Sequence, residues 1–327
     1  MQVFIKAKHR QAKEFQFYMH QFFEACEAQH IPVVEEYARL RRSIFGKLMA
    51  LIGLLIHLPK WHRPAKAVIV CSRGRHIVRD AMPYALYTEV IPMFWDSWPR
   101  TWNKQVKAIR SLNCKICFFT SSEAAYRLSR EVKDIKAYWI PEGIDCNDYT
   151  MGPPLQERSI DVYELGRQKA DYHCHLIAMK TDHTLTSYIA NEYDANGKLK
   201  KLAFDTATDL LNSLPDIRIV ISFPSCDTHP VESGGMETLT QRYWEAMLCG
   251  CLIIGRAPKE LIQFIGYNPV IDADFRNPRK QLSDILEHIG DYQELVNRNR
   301  KTALQYAPWE SRAKQIKEIL RSNNYSI

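Results

Sequence analysis

The stretch Gly235-Met-Glu-Thr-Leu-Thr-Gln-Arg-Tyr-Trp-Glu-Ala-Met-Leu-Cys-Gly250 runs into the apolar residues Leu252-Ile253-Ile254. It reads as a helix delivered into a buried strand. Glu237 and Glu245 stand eight positions apart, so one carboxylate falls at the helix entrance and the other about two turns inside it. The backbone N–H groups of Thr238, Leu239 and Thr240 would then sit at the helix N-terminus, where free amides and the positive end of the macrodipole favour an anion. An ionised carboxylate on either side accepts hydrogen bonds from hydroxyl groups. A diphosphate flanked by two sugars, as in a nucleotide sugar, has that layout. An amphipathic helix carrying two incidental glutamates gives the same pattern, because Glu is a good helix former.

Outward from this stretch, short apolar runs alternate with helical periodicity, which predicts parallel α/β sheets. Strands are expected at 2–7, 32–36, 67–71, 90–95, 115–119 and 137–140, then at 159–165, 217–223, 252–255 and 269–272. Helices are expected at 11–29, 39–58, from 122 onward, at 170–179, 292–306 and 310–321. A chain of 327 residues exceeds one core of ordinary size and predicts two domains of roughly 150 residues each. Pro and Gly cluster at 141–143 and 152–154, which places the expected domains at 1–145 and 146–327, the last helix being free to cross back to the first.

A hydrophobic content of 46% with 25% charged residues fits a globular chain and argues against disorder. The start, Met1-Gln-Val-Phe-Ile-Lys-Ala-Lys8, is too short in its apolar part for a secretory signal. With nine scattered cysteines, it predicts reduced thiols and a cytoplasmic protein. Cys114-x-x-Cys117 lies in an apolar strand pattern without a second such pair, and His173-Cys174-His175 stands alone, so no metal site is expected. Charge is uneven. Residues 1–150 hold 23 Lys and Arg against 14 Asp and Glu, whereas the remainder is close to neutral. A basic first half suits a polyanion or an anionic membrane surface.

The segment from Glu237 to Gly250 also resembles the E-x7-E signature of retaining glycosyltransferases of the GT-B architecture (glycosyl transferases group 1). Three more segments resemble that family in the same order: Trp139-Ile-Pro-Glu-Gly-Ile-Asp145, with Glu142 where Asn is usual; Asp161-Val-Tyr-Glu-Leu-Gly-Arg167; and Trp309-Glu-Ser-Arg-Ala-Lys314. The likeness covers roughly residues 115 to 323 well and the earlier part in outline. It implies two Rossmann-like, doubly wound domains facing across a cleft, the second holding a nucleotide-diphosphate sugar. By this resemblance Gly166, Arg167 and Lys169 meet the diphosphate, together with Thr238, Leu239 and Thr240. Glu237 orients the donor sugar and Glu245 the ribose. The family's lysine position is Tyr172 here, and Lys169 stands nearer. No metal or other cofactor is implied, and Asp272-Ala-Asp274 reads as a helix-capping loop rather than a metal-binding pair.

On the first domain, Phe94-Trp-Asp-Ser-Trp98 ends an expected strand. Asp96 is the candidate for contact with the acceptor hydroxyl, with Trp95 and Trp98 suited to stacking on a sugar. Arg10, Arg73, Arg75 and His76 also fall at strand ends and are candidates to hold an acceptor phosphate. Residues 39–63 carry about fifteen apolar positions with basic flanks, too few for a membrane span. They read equally as an interfacial helix on anionic lipid or as a buried helix of the first domain. The resemblance implies transfer of a sugar, with retention, to a lipid-linked or polysaccharide-precursor acceptor in cell-surface glycan synthesis, at the inner membrane face. The rival readings are a DNA-modifying glycosyltransferase, which a basic half also suits, and a non-catalytic sugar-binding GT-B protein.

Overall fold

The computed structural model describes residues 1–8, 18–36, 44, 47–48, 51–52, 64–73, 76–194 and 198–327. They form two compact units. Unit one comprises Met1–Glu142, Val231–Met236 and Trp309–Ile327. Its strands are β1 (Gln2–Lys8), β2 (Val33–Glu36), β3 (Lys66–Arg73), β4 (Glu89–Trp95), β5 (Ile116–Phe119) and β6 (Lys136–Trp139). They pair in the order β2-β1-β3-β4-β5-β6, all parallel.

Such a sheet must be covered on both faces, so its central strands are apolar throughout rather than alternating with polar residues. Phe4, Val68 and Val70 face one core, and Val3, Ile5, Ala67 and Ile69 face the other. Each fully buried side chain of this kind contributes roughly 1.5–3 kcal/mol. The connecting helices include α1 (Tyr18–Ala28), α2 (Ile77–Ala81), α3 (Trp102–Ser111) and α4 (Ser122–Glu131). The Ser121 hydroxyl starts α4 by accepting from the Ala124 amide. The C-terminal helix Trp309–Ser322 buries Trp309, Ala313, Ile316 and Leu320 in the second core of this unit.

Unit two comprises Gly143–Pro230 and Glu237–Pro308. Strands β7 (Ile160–Glu164) and β8 (Tyr188–Ala190) come first, joined by α5 (Ala170–Thr181). The hairpin β9 (Glu192–Tyr193) and β10 (Leu199–Lys201) and helix α6 (Ala207–Ser213) lead to β11 (Ile217–Ser222). Helix α7 (Gln241–Leu248), β12 (Leu252–Gly255), α8 (Lys259–Ile265), β13 (Ile271–Asp272), α9 (Pro278–Glu287) and α10 (Gln293–Tyr306) complete the unit. The parallel order is β13-β12-β11-β7-β8. The chain therefore reverses its direction of travel across the sheet between β7 and β11. Open α/β sheets bind ligands outside the carboxyl ends of the strands at such a switch point.

Three expectations need correction. Helix α7 begins at Gln241, not at Glu237; residues 237–240 form neither helix nor strand. The Leu239 amide is taken by Glu260 Oε2 at 2.8 Å, and Thr240 holds the N-cap position in the β region (φ −126°, ψ 158°) with no side-chain capping bond. The edge strand β8, three half-buried residues, and the short exposed hairpin β9–β10 were not expected. The expected strand at 269–272 reduces to Ile271–Asp272. Of residues 39–63, positions 44, 47–48 and 51–52 are helical, with Ile44, Leu48 and Leu51 exposed; the rest lies outside the described residues. Among the described residues no helix is long and apolar enough to cross a membrane.

Candidate functional site

At the switch point of unit two, β7 is followed by Leu165-Gly166-Arg167 and β11 by Phe223-Pro224-Ser225. Gly166 turns the chain in the left-handed region (φ +83°), and a Cβ there would come within 3.1 Å of Arg242 Nη1. Its carbonyl accepts from Asn191 Nδ2 at 3.3 Å and from the Tyr193 hydroxyl at 3.4 Å. Arg167 Nη1 bridges to Ser225 Oγ at 2.6 Å, and Arg242 Nη1 reaches back from the first turn of α7 to the Leu165 carbonyl at 3.0 Å. Burial lowers the Arg242 pKa and the neighbouring Arg167 charge adds to that, against opposing contributions from Tyr243, Glu245 and Tyr163.

Among the described residues neither guanidinium is bonded to a carboxylate. Beside them at the start of α7, Thr240 Oγ1 and Gln241 Nε2 are buried polar atoms without a hydrogen-bond partner among the described residues. Buried polar groups are normally satisfied. Two guanidiniums with no bonded carboxylate and two unsatisfied atoms at one helix N-terminus, among the described residues, are the complement of an oxyanion group such as a diphosphate.

Glu245 lies one turn along α7 from Arg242 and therefore on the same face. It is buried, and its Oε1 accepts from the Tyr149 hydroxyl at 3.2 Å. Burial raises its pKa, while the Tyr149 hydrogen bond and the Arg242 charge pull the other way. Tyr149 is itself held protonated by burial and by the charge of Glu245.

Glu237 sits at the carboxyl side of the same sheet in a different setting. Its Oε1 meets Arg256 Nη1 at 2.8 Å and its Oε2 accepts from the Lys259 amide at 2.8 Å. Arg256 grips Asp227 with a second edge, Nε to Oδ2 at 2.6 Å and Nη2 to Oδ1 at 2.8 Å. The Asp227 bonds, ahead of those to Glu237, raise the Arg256 pKa above its usual value.

Lys169 does not join the two arginines: its ammonium pairs with Asp171 at 3.2 Å and stands 5.7 Å from the centroid of Phe275. Thr238 is buried and Leu239 spends its amide on Glu260, so Gly166, Arg167, Thr240 and Glu245 are the sequence candidates brought closest to Arg242. Asp227, Tyr149, Gln241 and Arg256 were not singled out from sequence. The available signal was a charged residue straight after a strand, which Arg256 is. Asp274 Oδ1 accepts from the amides of Arg276 and Asn277 ahead of α9, the expected capping loop.

In unit one, Arg73 Nε lies 3.5 Å from Asp96 Oδ2, and Arg73 Nη2 donates to the Tyr18 hydroxyl at 2.8 Å. Asp96 itself adopts φ +56°, a conformation uncommon outside glycine. His76 is half-buried at the start of α2. Trp95 corrects an expectation: it is 2% exposed and wedged among Phe22, Tyr18 and Trp309, which leaves no ring face for a sugar. Trp98 packs in part against the opposite core, so the two indoles do not form a pair. Arg10 and Arg75 lie outside the described residues.

No family model matches the chain, and no curated protein matches it. Among solved structures, Anabaena HepE in complex with UDP and glucose is similar at 12% identity, covering 98% of this chain and 100% of that one, with a TM-score of 0.60. Sucrose-phosphate synthase from Thermosynechococcus elongatus is similar at 12% identity over 98% of this chain and 99% of that one, with a TM-score of 0.64. AviGT4, a glycosyltransferase involved in avilamycin A biosynthesis, is similar at 10% identity over 98% of this chain and 97% of that one, with a TM-score of 0.52. At such identities a likeness speaks for fold alone, and the fold is that of GT-B glycosyltransferase structures: two parallel-strand sheets with interleaved helices.

Proposed function

We propose that this chain is a glycosyltransferase that moves a sugar from a nucleotide-diphosphate donor to an acceptor hydroxyl. The observation that carries the reading is the pair Arg167 and Arg242, two guanidiniums without carboxylate partners among the described residues, beside the N-terminus of α7. They stand at the strand ends where a doubly wound sheet takes its ligand. The fold likeness supports it, since HepE has been solved with UDP and with UDP-glucose.

In the reaction the glycosidic bond to the diphosphate breaks, and negative charge grows on the leaving oxygen. Arg167, Arg242 and the amides at the start of α7 are placed to stabilise that charge, without a metal in this reading. Glu245, steadied by Tyr149, takes the ribose, and Glu237 takes the donor sugar. Retention at the anomeric carbon, a lipid-linked or polysaccharide-precursor acceptor and work at the inner membrane face belong to the same proposal. Exposed Ile44, Leu48 and Leu51 and the basic first half support the membrane setting.

A thermal-shift panel of nucleoside diphosphates and nucleotide sugars tests the reading, followed by donor turnover with the stabilising compound. Stabilisation by one nucleotide series, abolished in Arg167→Ala, is the expected result. No response to any nucleotide sugar would refute it.

A further inference from the structure

Resting on the donor reading above, we infer that Asp227, Arg256 and Glu237 act as one unit that selects a neutral donor sugar and rejects one bearing a carboxylate. Arg256 follows Gly255 at the end of β12, and its backbone is pinned on both sides. Its amide donates to the Ser222 carbonyl at 3.1 Å, and its carbonyl accepts from the Tyr243 hydroxyl at 2.7 Å. The side chain then has little freedom. It holds Asp227 by two parallel bonds, Cys226 Sγ at 3.0 Å and Glu237 at 2.8 Å. A planar guanidinium with two edges engaged fixes both carboxylates in direction as well as distance.

The cluster is open to a ligand. Side-chain exposure is 33% for Arg256, 24% for Asp227 and 18% for Glu237. Asp227 Oδ1 is taken by Arg256 and by the Cys226 thiol at 3.6 Å, but Asp227 Oδ2 and both Glu237 oxygens each meet one donor, so each acid can still accept from a sugar hydroxyl. Two carboxylates against one guanidinium leave a single net negative charge. Hydroxyl donors fit that field, whereas a uronate places like charge beside like in a partly buried setting. Arg256 is thus a positioning residue for Glu237, and Asp227 supplies the surplus charge.

The test measures calorimetric affinities of the full chain for UDP, UDP-glucose and UDP-glucuronate, with GDP, GDP-mannose and GDP-mannuronate as the second series. Wild type is expected to prefer the neutral sugar by at least tenfold. Asp227→Asn, which keeps the shape and removes the surplus charge, is expected to shrink that preference by tenfold while leaving UDP or GDP affinity within twofold. Arg256→Gln is expected to remove the affinity gain of nucleotide sugar over nucleoside diphosphate, and a melting curve checks that it folds. If it does not fold, Asp227→Asn and Arg256→Lys carry the test. Donor binding with an unchanged neutral-to-acidic ratio in Asp227→Asn overturns this inference and leaves the donor reading standing. Failure of wild type to bind these two series and every other nucleotide sugar of the thermal-shift panel overturns both.

Discussion

The Tyr149 hydroxyl donates to Glu245 Oε1 at 3.2 Å, joining the segment that opens unit two to the second glutamate of the E-x7-E stretch. A hydrogen bond to a buried charged group is worth about 1.5–3 kcal/mol, most of it lost when one partner is deleted. Tyr149→Phe is therefore expected to lower unfolding free energy by roughly that amount in urea titrations. Because Glu245 would also lose its steadying partner, nucleotide-sugar affinity should fall severalfold, whereas a wholly structural Tyr149 would leave affinity unmoved.

Glu245 itself predicts a pH signature. Burial raises its folded-state pKa above the ordinary value of 4.5. In the window between those values the folded chain binds more protons than the unfolded chain, so this residue's contribution to stability falls as pH rises through it. Glu245→Gln removes the effect. The difference in melting temperature, variant minus wild type, is expected to grow from pH 4 to pH 8 in the variant's favour. A flat difference would show that Glu245 is solvated in the ligand-free protein. Donor binding by the variant should weaken in parallel, since the amide presents a donor where the ribose needs an acceptor.

The two arginines separate charge from scaffold. Among the described residues Arg242 spends one bond on a carbonyl and bonds no acid, and its side chain is half-buried, so neutralising it relieves part of its desolvation while orphaning that carbonyl. Arg242→Met should stay within about 1 kcal/mol of wild type in the absence of ligand. It should nevertheless lose nucleoside-diphosphate affinity by two orders of magnitude. Arg167→Ala is expected to lower the rate of donor cleavage by about 10²–10³, while Ser225→Ala, which removes only the neutral partner of Arg167, should cost severalfold. Equal losses from Ser225→Ala and Arg167→Ala would relocate the leaving-group charge.

Backbone geometry gives a contrast free of any functional assumption. Gly255 has φ +143°, and a Cβ there would meet the Ser222 carbonyl oxygen at 2.0 Å. Gly266 has φ +83° with no described residue within 4 Å of its Cβ position. Gly255→Ala must push two paired strands apart and is expected to destabilise by about 3 kcal/mol or more. Gly266→Ala should cost only the left-handed penalty of roughly 1–2 kcal/mol. Chemical denaturation of the two variants side by side decides it.

What could be read in the chain follows from how local each signal is. Parallel strands buried on both faces write themselves as apolar runs, which is why Lys66–Arg73, Ile217–Ser222 and Leu252–Gly255 lie where the pattern puts them. Gly166 and Arg167 are legible because the turn and the charge adjoin one strand. The start of α7 is not, because its cause, the Glu260 carboxylate on the Leu239 amide, acts from 21 residues away. Arg256 and Asp227 meet across 29 residues, and only the fold makes them neighbours. Trp95 misled because strand polarity does not say which face of the last residue is covered. Here Trp309, from the far end of the chain, covers it.

Asp96 offers the sharpest test on the acceptor side. It holds φ +56° and pairs with Arg73 at 3.5 Å, both side chains being more than two-fifths exposed. A pair so exposed contributes under about 1 kcal/mol, less than the roughly 1–2 kcal/mol that a left-handed L-residue stores. Asp96→Gly should therefore leave the protein as stable as wild type, or more so, whereas Asp96→Ala keeps the strain without the side chain and should be the weaker of the two. If the carboxylate meets the acceptor hydroxyl, both variants lose transfer by at least tenfold yet still cleave donor to nucleoside diphosphate at the wild-type background rate. A stabilised Asp96→Gly that transfers sugar normally would show that the strain has another origin, and would return the acceptor contact to Arg73.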